Sequence, residues 1–270
     1  MTANNSSTII QLDNYEELEQ FVEAFAANRI NLLVIIGDAG LQKSRTVRDH
    51  VPRDSCWIQG NASPFGMYLK LYRHLDQLVV IDDVDGLSRN RHGINLLKCL
   101  CQTEEEKTVA WLSATRQLTA EAVPREFKTS SRVCIIANDW NFGGNHDLRA
   151  VEDRGHIVRF APTAFEIHQR CGEWFDDQEI YKWFGDRLDR IPQPSMRLYY
   201  RAKELKDARL DWRRTLPLTP VDERRQLVVE LLADSQFSTQ SERVSEFVKQ
   251  KGGCRATYFN HLRKLRNGRG

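Results

Sequence analysis

Five apolar residues, Leu32 to Ile36, run directly into Gly37-Asp38-Ala39-Gly40-Leu41-Gln42-Lys43-Ser44. No other feature constrains the fold as much. An unbroken apolar run of this length reads as a strand buried on both faces, and such strands belong to parallel sheets covered by helices. Ser44 to His50 reads as the start of a helix. Strand, glycine-bearing loop and helix together make an anion cradle, because glycines let the backbone wrap closely and the first helical N–H groups point at negative charge. In that context Lys43 is placed to reach the β- and γ-phosphates of a nucleotide, and Ser44 to set its hydroxyl on Mg²⁺. Gln42 stands where the pattern G-x-x-x-x-G-K-[ST] has its second glycine. A side chain there must fit a backbone geometry that favours none, so slowed hydrolysis is expected.

The same strand–helix alternation continues through the first half. Residues 13–28 read as an amphipathic helix capped by Asp13 or Asn14, Cys56 to Ile58 as a strand, and Pro64 to Leu75 as a helix. Leu78 to Ile81 is a further buried strand, Gly93 to Cys101 a helix, and Thr108 to Leu112, Arg132 to Ala137 and Ile157 to Phe160 strands. The expected fold class is α/β, a parallel P-loop sheet with helices on both faces, followed by a helical lid and a small all-α C-terminal domain. From Thr163 the pattern turns helical and aromatic-rich, with those aromatics expected in the core. The expected domains are residues 1–162, 163–215 and 221–270, with a proline-bearing linker at 216–220.

A second element supports the nucleotide reading. Leu78-Val-Val-Ile-Asp82-Asp83 is an apolar strand that ends in two carboxylates. A carboxylate there can hold Mg²⁺, directly or through water, and its neighbour can polarise an attacking water. Asp82 takes the metal role and Asp83 the base role.

With these two elements in place, the chain resembles the AAA+ superfamily of ATPases over roughly residues 30 to 213. The Asp-Asp ending is similar to its bacterial initiator and helicase-loader branch. The resemblance implies that Gly37–Ser44 is Walker A, with Gly37, Asp38, Ala39, Gly40, Leu41, Gln42, Lys43 and Ser44 against ATP, and that Leu78–Asp83 is Walker B. Arg132-Val-Cys-Ile-Ile-Ala-Asn138 looks like the sensor 1 strand, with Asn138 orienting the lytic water. Residues 148–160 look like the arginine-finger region, with Arg154 the first choice and Arg159 or Arg149 the alternatives, acting on a neighbouring subunit's nucleotide. Pro194-Ser-Met-Arg197 looks like sensor 2. ATP and Mg²⁺ are the implied cofactors, and a homo-oligomer, in ring form, is the implied assembly. Two segments keep open roles. Gln59-Gly-Asn61-Ala-Ser63 lines a ring's pore or is an ordinary turn, and residues 108–131 are an inserted hairpin or a surface excursion.

Charge is uneven. From Ser238 onward there are eight bases against two acids, a net of +6, so with +2 overall the remainder carries −4. A basic end on an acidic body places any DNA contact at that end. Residues 238–248 read as a helix with a serine or threonine cap, Lys251-Gly-Gly-Cys254 as a turn, and Arg255–Arg266 as a basic helix, which is helix-turn-helix logic. Its apolar side is read as Ala256, Phe259, Leu262 and Leu265. Its other face offers Arg255, Thr257, Tyr258, Asn260, His261, Arg263, Lys264 and Arg266, residue types that contact phosphates and base edges. A helical hairpin that binds a protein partner is the alternative. Six scattered cysteines without zinc-type pairs, no signal-like N-terminus and no long apolar run lead to the expectation of a cytoplasmic chain with no membrane contact. The rival functions are a hydrolysis-poor, nucleotide-gated DNA-binding regulator and a protein-remodelling chaperone.

Overall fold

The computed structural model describes residues 9–83, 91–112, 116–140, 151–215, 218–219, 222–234, 236–237, 239–250 and 252–267. The chain forms two compact units. The larger holds residues 1–188 and 193–215, and the smaller holds 189–192 and 216–270.

The larger unit is built on a six-stranded, all-parallel sheet of β1 (Ile10–Leu12), β8 (His156–Phe160), β2 (Leu32–Ile36), β7 (Val133–Ala137), β4 (Val79–Asp82) and β3 (Cys56–Gln59), in that spatial order. All five residues of β2 are buried, as its unbroken apolar run requires. At about 1.5–3 kcal/mol for each fully buried aliphatic side chain, this strand anchors the sheet. Around the sheet lie α1 (Tyr15–Ala26), α2 (Lys43–His50), α3 (Pro64–Tyr72) and α4 (Arg91–Leu100). Asn14, one of the two expected caps, closes the start of α1 by accepting from the Glu17 N–H.

The register decides where chemistry gathers. Ile36 lies opposite Ala137, Asp82 opposite Ile136, and Gln59 opposite Asp82. The C-terminal ends of β2, β7, β4 and β3 therefore coincide. Parallel sheets bind ligands along that edge.

The stretch 108–112 does not join this sheet. Instead β5 (Lys107–Ala110) pairs antiparallel with β6 (Glu126–Thr129) in a separate two-stranded ribbon, with α5 (Arg116–Ala120) between them. Both strands alternate buried and exposed residues, the pattern of a ribbon with one covered face rather than of a sheet interior. Lys107 pins the ribbon. It is 1% exposed and donates to Asn31 Oδ1 at 2.6 Å and to the Ser131 carbonyl at 2.5 Å.

The helical segment comprises α6 (Ala164–Gly172), α7 (Gln178–Gly185) and α8 (Met196–Asp207). Phe175, Phe184, Tyr199 and Trp212 are core residues there, as expected. Phe165 and Tyr200 are not, at 56% and 51% exposed. The smaller unit packs α9 (Glu223–Ala233), α10 (Gln240–Lys249) and α11 (Arg255–Asn267) around Val228, Leu231, Val244, Phe247, Tyr258 and Leu262. Thr239 caps α10 in a reciprocal capping box with Glu242.

Candidate functional site

The loop after β2 is shaped by two glycine contacts. A side chain at Gly37 would run into the Phe160 carbonyl, and Gly40 has a φ of +84°. Gln42 also adopts the left-handed region, at φ 60° and ψ 19°, with no side-chain cap bond to α2. Left-handed backbone costs a non-glycine residue about 1–2 kcal/mol, so this loop holds its shape with one unrelieved strain. Tyr15 of α1 braces it by donating its hydroxyl to the Leu41 carbonyl at 3.2 Å.

Lys43 opens α2 and is 6% exposed. Its ammonium donates to the carbonyls of Gly37 at 2.6 Å and Asp38 at 2.8 Å, and to Asn138 Oδ1 at 3.3 Å. Burial pushes its pKa down to about 8, against the opposing pull of Asp82, Asp83 and Asp38. Ser44 donates to Asp82 Oδ1 at 2.9 Å. Asn138, just past β7, donates its amide to Asp83 Oδ1 at 3.2 Å. The amide is thus fixed in orientation, oxygen to the lysine and nitrogen to the carboxylate. Asp83 itself sits at φ 55°, held by its N–H to the Ile136 carbonyl.

The start of α8 closes one side. Ser195 caps α8, and the Met196 N–H donates to the Gly40 carbonyl at 3.1 Å. Arg197 follows on the exposed side of that helix start. The result is a cleft of about 440 Å³ lined by Ala39 to Arg45, Asp82, Asp83, Ile136 to Asn138, Met196, Arg197 and Tyr200. Asp38 contributes its carbonyl to Lys43, and Gly37 its carbonyl and the close approach to β8.

The hard oxygens of Ser44 and Asp82 suit Mg²⁺, which takes few protein ligands and completes its shell with phosphates and water. Among the described residues no cluster of three His, Cys, Asp or Glu side chains has the form of a transition-metal site.

Arg154 lies outside the cleft. It donates to the Lys98 carbonyl in α4 at 2.7 Å. Arg159 is a half-buried residue of β8, and Arg149 lies outside the described residues. Two residues at this edge carried no nucleotide-site expectation: Tyr200, and Gln59, whose segment was read as pore-lining or a turn and which ends β3. Tyr200 lines the cleft while stacked on Trp174, with ring centroids 4.8 Å apart. Gln59 donates to Asp82 Oδ2 at 2.7 Å. Neither carries a motif, and Gln59 is brought to Asp82 only by the β3–β4 register.

The face read on α11 is corrected in part. Tyr258 is fully buried and packs on Phe247 and Phe259, so it belongs to the core and not to a DNA-contacting surface. His261 is also turned inward, 12% exposed and 3.4 Å from Asp222. Ala256, read as apolar side, is exposed. The buried stripe runs through Tyr258 and Leu262, one turn apart, because the tyrosine ring supplies more apolar area than alanine. Arg255, Asn260 and Arg263 are exposed, and Thr257 is half-buried with its hydroxyl at Cys254. The side chains of Lys264, Leu265 and Arg266 lie outside the described residues, as do Ser238 and Lys251. No described helix is long and apolar enough to cross a membrane.

No protein-family model matches the chain. It is 29% identical over 118 residues to an uncharacterized 36.7 kDa protein from the nrdC-mobD intergenic region of Enterobacteria phage T4; the match covers 40% of this chain and 36% of that protein, about a third of its length. Among solved structures it is similar to NtrX from Brucella abortus in complex with ATP, at 14% identity and a TM-score of 0.45, over 94% of this chain and 69% of that one. It is also similar to the Aeropyrum pernix ORC1 protein in complex with DNA, at 13% identity and a TM-score of 0.43, over 98% of this chain and 86% of that one. The fold assignment rests on the sheet order and on the loop after β2.

Proposed function

We propose that this chain is an ATPase of the AAA+ type that hydrolyses Mg²⁺·ATP and couples the cycle to DNA or to a DNA-bound protein. One observation carries the ATPase reading. The ammonium of Lys43, the hydroxyl of Ser44, the carboxylates of Asp82 and Asp83 and the amide of Asn138 converge on one cleft from three separated segments, hydrogen-bonded in two sets, Lys43–Asn138–Asp83 and Ser44–Asp82.

In this reading the backbone from Gly37 to Gln42 and the N-terminus of α2 surround the phosphates. Lys43 turns its donors from the loop carbonyls to the β- and γ-phosphate oxygens. Ser44 and Asp82 would hold Mg²⁺, which would neutralise charge at the phosphates. Asp83 accepts the proton of a water aligned by Asn138, and that oxygen attacks the γ-phosphorus in line with the departing ADP oxygen. Arg197 closes on the phosphates from the lid. Arg154 serves a neighbouring subunit's nucleotide, so the active form is a homo-oligomer, ring-shaped in the simplest closure. The α/β part to residue 162 and the lid to 215 form the motor, and 221–270 the DNA-contacting part.

The DNA reading rests on the net +6 of the segment from Ser238 and on exposed Arg255, Asn260 and Arg263 along α11. Phosphate release from ATP by the full chain, measured with and without duplex DNA, tests both halves. Wild type turns over and is stimulated by DNA, Lys43→Ala is inactive, and Asp83→Asn falls by about 10²-fold or more. Turnover that survives Lys43→Ala refutes the site. Nucleotide binding without turnover favours a nucleotide-gated DNA regulator, for which strained Gln42 is the physical motive. Stimulation by a protein and not by DNA favours a remodelling chaperone.

A further inference from the structure

Asp82 is held at both oxygens. Ser44 donates to Oδ1 at 2.9 Å, and Gln59 donates its amide N–H to Oδ2 at 2.7 Å. The first contact belongs to the phosphate-loop logic. The second comes from the last residue of β3, directly opposite Asp82 in the parallel register. The Gln59 amide is itself oriented. Arg48, one turn along α2 from Ser44, donates to Gln59 Oε1 at 3.3 Å, and its guanidinium lies 4.4 Å above the Trp57 ring. Flipping the amide would set its NH₂ against a guanidinium and its oxygen against a carboxylate, so only one orientation satisfies both neighbours. Trp57, Arg48, Gln59, Asp82 and Ser44 thus form one continuous chain.

We propose that Gln59 is a positioning residue for the metal carboxylate. By occupying Oδ2 it fixes the side-chain torsion of Asp82 and keeps Oδ1 turned to Ser44, the two groups that would hold the cation. Arg48 supports it from behind. The inference rests on the reading of the cleft as a Mg²⁺·nucleotide site and adds a residue that touches neither nucleotide nor metal. Without the amide, Oδ2 faces water, the carboxylate rotates, and each productive metal-binding event first has to restore its orientation. Outer-sphere partners of this kind change metal affinity by about 10–100-fold when removed.

The test is ATP binding by the full-length chain, measured calorimetrically across a Mg²⁺ titration and again in EDTA. Wild type, Gln59→Leu, Arg48→Met and Lys43→Ala are compared, with thermal melting as the control for folding. Gln59→Leu raises the Mg²⁺ concentration for half-maximal tightening by about 10-fold, while its metal-free affinity for ATP stays within about twofold of wild type. Arg48→Met, an exposed position that leaves the fold intact, shifts the midpoint in the same direction by a smaller factor. Unshifted midpoints in both variants overturn the proposal. So does a loss of metal-free affinity as large as the loss with Mg²⁺, because a merely structural role would move both. If wild type binds ATP no better than Lys43→Ala, the nucleotide site itself fails, and that result is distinct from the other two.

Discussion

Replacing Gly40 by alanine tests whether the loop after β2 and the start of α8 are one mechanical piece. Gly40 has a φ of +84°, and a methyl group there would overlap Ser195 Oγ and come within 3.1 Å of Arg197 Cγ. Left-handed backbone costs alanine about 1 kcal/mol. Relieving the overlap adds about 1–2 kcal/mol, because Ser195 is fixed as the cap of α8 and the Met196 N–H is bonded to the Gly40 carbonyl. The expected total is about 2–3 kcal/mol. For a unit of 150–250 residues that lowers the melting midpoint by about 4–12 °C. All six tryptophans (Trp57, Trp111, Trp140, Trp174, Trp183 and Trp212) lie in the larger unit, so urea unfolding followed by tryptophan fluorescence reports on it alone. Ser195→Gly removes the obstructing oxygen and costs only a few tenths of a kcal/mol as a cap change. The double variant therefore recovers about 1 kcal/mol or more of the Gly40→Ala loss, leaving the backbone strain. Strictly additive losses refute the argument, because they mean that the two residues do not meet.

Gln42→Gly removes left-handed strain but frees the unfolded chain, so stability changes by less than about 1 kcal/mol; ATP turnover rises if the strained loop limits it, and unchanged turnover clears Gln42 of that role. Lys107→Met isolates a buried ammonium whose pKa burial pushes down to about 8 from 10.5. Between those values the unfolded chain binds more protons than the folded one, so Lys107 favours folding more as pH rises through that window. Wild type therefore gains stability relative to Lys107→Met from pH 7.5 to about pH 10.5, as read by urea midpoints; a gap that stays flat with pH contradicts the assignment. Gly252→Ala places a methyl group 2.5 Å from the Phe247 ring and destabilises the smaller unit by about 1–3 kcal/mol, seen as lost helical circular dichroism without a change in tryptophan emission. A single transition in both signals would show instead that the two units unfold together.

The parts of the fold that were legible in the sequence share one property. β2, β4 and β7 are apolar runs buried along their length, and each stops at a chemically distinctive residue: Gly37, Asp82-Asp83 and Asn138. Solvent exclusion writes itself into composition there. The strands that were not read are short or one-sided. β1 is three residues long, and β6 is Glu-Phe-Lys-Thr, two of whose four side chains face water. Their pairing is decided by distant partners, Ile10 with Val158 and Lys107 with Thr129, which local pattern does not record. Tyr258 was misread for a related reason. A tyrosine on a basic helix looks like a contact residue until the packing of α9 and α10 shows which side needs filling.

The site divides along the same line. Lys43, Ser44, Asp82, Asp83 and Asn138, which gather at one cleft, stand out in the sequence because they end a buried strand or follow it in the next loop, and a strand end in a parallel sheet is where backbone pairing ceases and side chains become available. Gln59 also ends a strand, yet its use depends on β3 being the neighbour of β4 and on a register that sets it opposite Asp82 and not one residue away. A shift of one residue would turn its side chain to the other face. The Asp82 carboxylate is therefore specified twice: by composition, through the run that ends in it, and by register, through the Gln59 amide that donates to it. The second specification depends on sheet packing at the β3 edge, so a substitution that disturbs buried Cys56 or Ile58 is expected to loosen the Gln59–Asp82 contact through the same strand.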